Sequence, residues 1–121
     1  MYHYIQSEAI KENKYMDRGE DLDLSKAEGF DWDSGNVNKN RLKHDVDTSE
    51  CEEVFFNEPI IILDDTKHSS EKEKRYRVIG ITTDGRRLAL AITLRNNKIR
   101  VIMARNQSQK ERELFEAEQN K

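Results

Sequence analysis

The stretch Arg75–Ala104, RYRVIGITTDGRRLALAITLRNNKIRVIMA, constrains the fold more than any other part of this chain. Three runs rich in Val, Ile, Leu and Thr are separated by two short polar breaks, TDGR at 83–86 and RNNK at 95–98. Asp-Gly is a strong short-range hairpin signal, because both central residues of such a turn need positive φ. Two tight turns between three strands predict an antiparallel meander. Parallel neighbours are excluded, since each would need a crossover connection of a dozen residues or more.

Upstream, PIIILDD is a continuous apolar run closed by two acids, and Pro59–Asp64 is the expected fourth strand. The polar loop KHSSEKEK separates it from the meander. Further upstream, FDWD alternates aromatic and acidic residues, a short strand signature, and Asp33 can cap a helix from about Gly35 to His44. Asp47 with Glu50 three residues on is a capping box for a second helix, with Cys51, Val54 and Phe55 as its apolar stripe and Pro59 as its stop. Ser108 with Glu111 is another capping box, opening a C-terminal helix whose apolar contact is Leu114 and Phe115. The expected fold is α+β: a three- to four-stranded antiparallel meander with two N-terminal helices and one C-terminal helix packed on it.

The 121 residues suffice for one modest core, and 37% are charged against 35% hydrophobic. Residues 1–28 hold few aliphatics and read as an acidic, flexible extension with a short helix near Ser7–Tyr15. Residues 29–121 read as the folded domain. Charge is split between the halves: Met1–Glu58 nets -8 and Pro59–Lys121 nets +5, within a total of -3. Such asymmetry points to nucleic acid or to an internal acid–base contact. Cys51 is the only cysteine, which fits a reducing, cytoplasmic setting. No apolar run approaches the roughly 20 residues of a membrane span.

No P-loop, dinucleotide glycine pattern or nucleophile elbow is present, and no cofactor is expected. His3, His44 and His68 show no metal-motif spacing, so no metal site is expected. The chemistry rests on arginines in and beside strands. Strict alternation in IRVIMAR puts Ile99, Val101, Met103 and Arg105 on one face and Arg100, Ile102 and Ala104 on the other. Arg75 and Arg77 share a face of their own strand, and Arg95 sits in the turn before the last strand. A guanidinium fork binds phosphate oxygens two at a time and stabilises the charge that develops when a phosphodiester is attacked. Arg75, Arg100 and Arg105 are therefore candidate catalytic residues, and Arg77 and Arg95 candidate substrate-binding ones; the alternative is a set of salt bridges to Asp64, Asp65 or the C-terminal glutamates. His44 or Glu50 would accept a proton, or else each only caps a helix, with Lys43 beside them as a substrate-binding residue and reserve candidate. Trp32 would stack on a base, or else belong to the core.

The order of motifs, WD, N-x-x-KH-x-V, VFF, LDD, HS, R-Y, IG, GR-L, T-L-R, IRVI-x-AR and ER-x-x-FE, resembles the BrnT family, toxins of type II toxin–antitoxin modules. The resemblance runs from about Phe30 to Glu116. It implies a RelE-like, metal-independent ribonuclease that cleaves RNA and arrests translation. It also implies a BrnA-like antitoxin partner, with operator DNA contacted only through the antitoxin complex and no membrane partner. The chain departs from the family pattern at three places. Asp45 stands where glycine is usual, DTSEC replaces SFEEA at the second helix, and Met103 replaces a serine. DRGEDLDLSKAEG resembles a segment of BrnA-type antitoxins, which raises the expectation that the acidic extension covers the basic face.

Overall fold

The computed structural model describes residues 16–18, 22, 24–35, 37 and 44–121. Its elements in chain order are β1 (Met16–Arg18), a 3-10 turn (Leu24–Lys26), α1 (Thr48–Val54), β2 (Ile61–Asp65), β3 (Arg75–Ile81), β4 (Arg87–Arg95), β5 (Lys98–Asn106) and α2 (Gln109–Gln119). The strands form one sheet in the order β1-β2-β3-β4-β5, every neighbouring pair antiparallel. The meander is therefore as expected, with β2 as its further member. Asn96 and Asn97 hold φ of 53° and 64°, as a two-residue hairpin requires, whereas in the Thr82–Arg86 turn Gly85 alone is positive, at 91°, and Asp84 is not.

The sheet has five strands where three or four were expected. The additional one is β1, from within residues 1–28, which lies along the outer edge of β2. No periodic pattern announces it, because an edge strand is held by backbone pairing rather than by an apolar face. Leu22 is buried and Leu24 and Ala27 pack on the core. Glu28–Asp31 then runs beside β5: Glu28 N donates to Asn97 O (2.7 Å), Ile99 N to Gly29 O (2.9 Å) and Asp31 N to Ile99 O (2.8 Å). The expected helix at Ser7–Tyr15 lies outside the described residues. Of the expected helix Gly35–His44, Gly35, Val37 and His44 are helical, and Lys43 lies outside the described residues.

Helices pack on both faces of the sheet. On the first face Cys51 and Val54 of α1 join Tyr76, Val78, Leu90 and Ile92 in the main core. Gly80 makes this approach possible, since a Cβ there would stand 2.5 Å from Val54 Cγ1. On the second face Leu114 and Phe115 of α2 pack on Ile61, Leu63 and Ile79. Both helices start as their capping boxes predict: Asp47 N donates to Glu50 Oε1 (3.1 Å), and Ser108 N donates to Glu111 Oε1 (2.7 Å).

Strict alternation fails in β5. Val101 stands opposite Ile92 but Met103 stands opposite Ala91, so Ile102 is an extra residue in a β-bulge. The bulge resets the parity of the strand. Ile99, Val101 and Ala104 all enter the main core, while Arg100, Met103 and Arg105 stand opposite Thr93, Ala91 and Ala89 on the second face.

A candidate RNA-binding face

The bulge decides which arginines meet. Arg75, Thr93 and Arg100 form one row across β3, β4 and β5. Arg77, Ala91 and Met103 form the next, and Ile79, Ala89 and Arg105 the third. Four expected site residues, Arg75, Arg77, Arg100 and Arg105, therefore share the second face. Under strict alternation Arg100 and Arg105 would have pointed apart. Beyond Arg87, which pairs with Glu116 of α2, the central strand RLALAIT places only Ala89, Ala91 and Thr93 on this face, with Leu88, Leu90 and Ile92 turned to the core. Small residues in the middle let the long side chains on either side lie over the sheet.

The N-terminus of α2 arrives above this face and supplies Glu111. Its carboxylate accepts from Arg105 Nη1 (2.6 Å) and Nη2 (3.0 Å), from Arg77 Nη1 (2.9 Å) and from Ser108 N. Burial works against ionisation of Glu111. The hydrogen bonds from Arg105 and Ser108 and the charges of both arginines overcome it and hold the carboxyl down at about 2. Arg77 is only 14% exposed, and its buried Nε has no hydrogen-bond partner among the described residues.

Further partners line the rim. Arg75 pairs with Glu73 (2.7 Å), and Arg95 lies 4.0 Å from the same carboxylate. Arg100 pairs with Asp33 (2.7 Å) and lies 3.7 Å from Asp31. The FDWD alternation explains this contact: Phe30 and Trp32 turn to the main core, and the two aspartates turn the other way. Each arginine thus has a carboxylate neighbour, but Glu111 and Glu73 each serve two arginines.

At the end of β2, Asp65 is 1% exposed. Both of its oxygens lie 3.0 Å from His68 Nδ1, and Oδ2 lies 3.9 Å from Arg77 Nη2. The contacts run on without a break from His68 through Asp65, Arg77 and Glu111 to Arg105. Sequence reasoning did not single out His68 as a site residue, and it allowed the arginines salt bridges to Asp64, Asp65 or the C-terminal glutamates without naming Glu111. The available signals were Asp65-x-x-His68, a spacing that lets a strand-end carboxylate reach a histidine in the following turn, and a capping glutamate six residues after an arginine.

His44 and Glu50 are positioned differently. Arg86 Nη2 donates to His44 O (3.1 Å), and Arg86 Nη1 donates to Asp45 O (2.7 Å) and to both Glu50 oxygens (3.1 Å each). Glu50 also caps α1, which packs on the first face. Among the described residues no hydrogen bond or ion pair joins His44 or Glu50 to Arg75, Arg77, Arg100 or Arg105. Asn106 links the two groups at the rim: its Oδ1 accepts from Arg86 Nε (2.9 Å) and its carbonyl from Arg105 Nη1 (3.1 Å). Trp32 is half-buried, stacks on Phe30 and donates to Glu52 Oε2 at 2.8 Å. Burial in particular, with the negative charges of Glu50 and Glu52, pushes the Cys51 thiol up to about 12, which favours the protonated form over the thiolate. Among the described residues no group of three His, Cys, Asp or Glu side chains could hold a metal ion, and no helix is long and apolar enough to cross a membrane.

Fold and site together define a small α+β domain with an arginine-lined sheet face at a helix N-terminus. The sequence profile described as "Ribonuclease toxin, BrnT, of type II toxin-antitoxin system" matches residues 32–111, and the chain belongs to that family. The match holds all the arginines of the face, His68, and Glu111 as its last residue. Membership places the chain among ribonuclease toxins and implies an antitoxin partner. No curated protein matches the chain.

Proposed function

We propose that this protein is a RelE-like endoribonuclease that cuts RNA without a metal ion and arrests translation in the cytoplasm. The observation that carries the reading is the set Arg75, Arg77, Arg100 and Arg105 on one face of the sheet. Arg75, Arg100 and Arg105 bind the scissile phosphate and its neighbours, and Arg77 and Arg95 extend the contact along the RNA. The ribose 2′-oxygen attacks the adjacent phosphorus, the bond to the 5′-oxygen breaks, and a cyclic phosphate remains. Arginine forks oppose the charge that builds on the phosphoryl oxygens, a contribution a metal would otherwise make. A BrnA-like antitoxin covers this face, and operator DNA is reached only through the antitoxin complex.

The carboxylate beside each arginine favours a second reading, an RNA-binding module without chemistry. RNA cleavage by the full chain in EDTA, beside Arg105→Ala, separates the two. EDTA-resistant cutting that falls about 100-fold or more in the variant supports the nuclease. Salt-dependent RNA binding without any cutting supports the module.

A further inference from the structure

We propose that His68, oriented by Asp65, is the residue that accepts the 2′-hydroxyl proton. This rests on the ribonuclease reading of the same face and names the base which that reading leaves open.

Four features of the geometry support it. First, Nδ1 of His68 lies 3.0 Å from both Asp65 oxygens. An ionised carboxylate only accepts, so in the neutral ring Nδ1 carries the proton and Nε2 holds the lone pair a base needs. Second, the carboxylate that sets this tautomer is itself fixed. Asp65 is 1% exposed at the end of a paired strand, and the His68 backbone N–H also donates to its Oδ1 (3.3 Å). Third, the turn carrying the ring is tied down. Ser69 Oγ donates to Asp65 O (2.7 Å) and accepts from Arg75 N (2.8 Å), and Ser70 N donates to Glu73 O (2.8 Å). Fourth, the His68 side chain is 50% exposed and Asp65 also reaches Arg77, so it combines access to solvent with a link through one carboxylate to the arginines.

His44 and Glu50 lack this combination. Their described contacts are with Arg86 and the cap of α1. A purely structural role for His68 would be to close the turn after β2, and the turn has the Ser69 and Ser70 bonds for that already.

The proposed step balances within the substrate and one imidazole. Nε2 takes the proton as the 2′-oxygen bonds to phosphorus, and the departing 5′-oxygen recovers a proton from the imidazolium or from water. His68 is then the catalytic residue and Asp65 a positioning residue.

The test uses the full chain and a labelled messenger RNA transcript at single turnover, with and without ribosomes. The variants are His68→Gln, His68→Ala and Arg105→Ala, and RNA affinity and thermal melts are measured for each. The expected result for His68→Gln is a fall in cleavage rate of about 100-fold or more, with RNA affinity within a few-fold of wild type and an unchanged melt. Added imidazole should restore part of the rate to His68→Ala, which no loss of structure would allow. Cleavage by His68→Gln at the wild-type rate overturns the assignment and leaves the ribonuclease reading standing. So does a loss that lies wholly in RNA affinity, which would make His68 a phosphate ligand. If the wild type cuts nothing under either condition, both readings fall together.

Discussion

Arg77 and Arg105, on strands β3 and β5 with β4 between them, meet at the single carboxylate of Glu111. The first turn of α2 is thereby locked to the sheet across three strands. The same glutamate caps the helix, so helix start and arginine placement are one structural event. A phosphate arriving here would meet two guanidiniums sharing one negative charge.

Glu111→Gln removes the charge while keeping the shape. The expected cost is about 1–3 kcal/mol at neutral pH, because two arginines lose a buried ionic partner. Glu111 is held near 2 in the folded chain against an ordinary 4.5. Its contribution is therefore complete above about 4.5 and is lost as pH falls from there towards 2. Urea unfolding of both proteins at pH 7 and pH 2.5 should show most of the difference gone at the lower value.

How much of this arrangement was legible in the sequence depends on which interaction carries it. The meander was legible because Asp84-Gly85 and Asn96-Asn97 are local signals read within four residues. The capping boxes at Asp47 and Ser108 are local too. The bulge at Ile102 was not, because an apolar residue inside an apolar run leaves no mark, and alternation then assigned Arg100 and Arg105 to opposite faces. β1 escaped because its pairing uses backbone groups. Glu111 looked like a cap because the pattern S-x-x-E accounts for it without the arginines, which only the folded sheet brings near.

RNA affinity should depend steeply on salt. For single-stranded RNA the log–log slope changes by about 0.7 for each phosphate contact. Arg105→Ala should reduce the slope by about that amount, and Arg87→Ala, which lies opposite Ile81 beyond the rows that hold Arg75, Arg77, Arg100 and Arg105, should leave it unchanged. Fluorescence titrations with a labelled RNA oligonucleotide at several salt concentrations measure both. Equal slopes for all three proteins would place Arg105 outside the RNA contact.

Gly80 is a packing requirement of the first face. A Cβ there meets Val54 Cγ1 at 2.5 Å, too close for any side-chain contact. Gly80→Ala should destabilise the domain by about 1–3 kcal/mol through overpacking. Val54→Ala removes the opposing methyls, so in the double variant the two losses should add to less than their sum. Thermal melts of the four proteins give the coupling directly, and simple additivity would show that α1 moves away at no cost.

Asp45 tests how this chain holds a non-glycine residue at positive φ. Its φ is 54°, a left-handed conformation that glycine adopts freely and a side chain does not. The fold holds it there because the Asp45 carbonyl accepts from Arg86, whose other bonds reach His44, Glu50 and Asn106. Aspartate is among the residues that bear this strain best. Asp45→Gly should therefore raise stability, by about 0.5–1 kcal/mol at most, because relief of strain outweighs the extra freedom glycine gives the unfolded chain. Asp45→Val should lower it, since a β-branched side chain is a true outlier at this φ. Chemical denaturation of the three proteins orders them as glycine, aspartate, valine if the carbonyl bond to Arg86 dictates the backbone. An order with valine above aspartate would mean that the turn relaxes to negative φ and that Arg86 does not hold it.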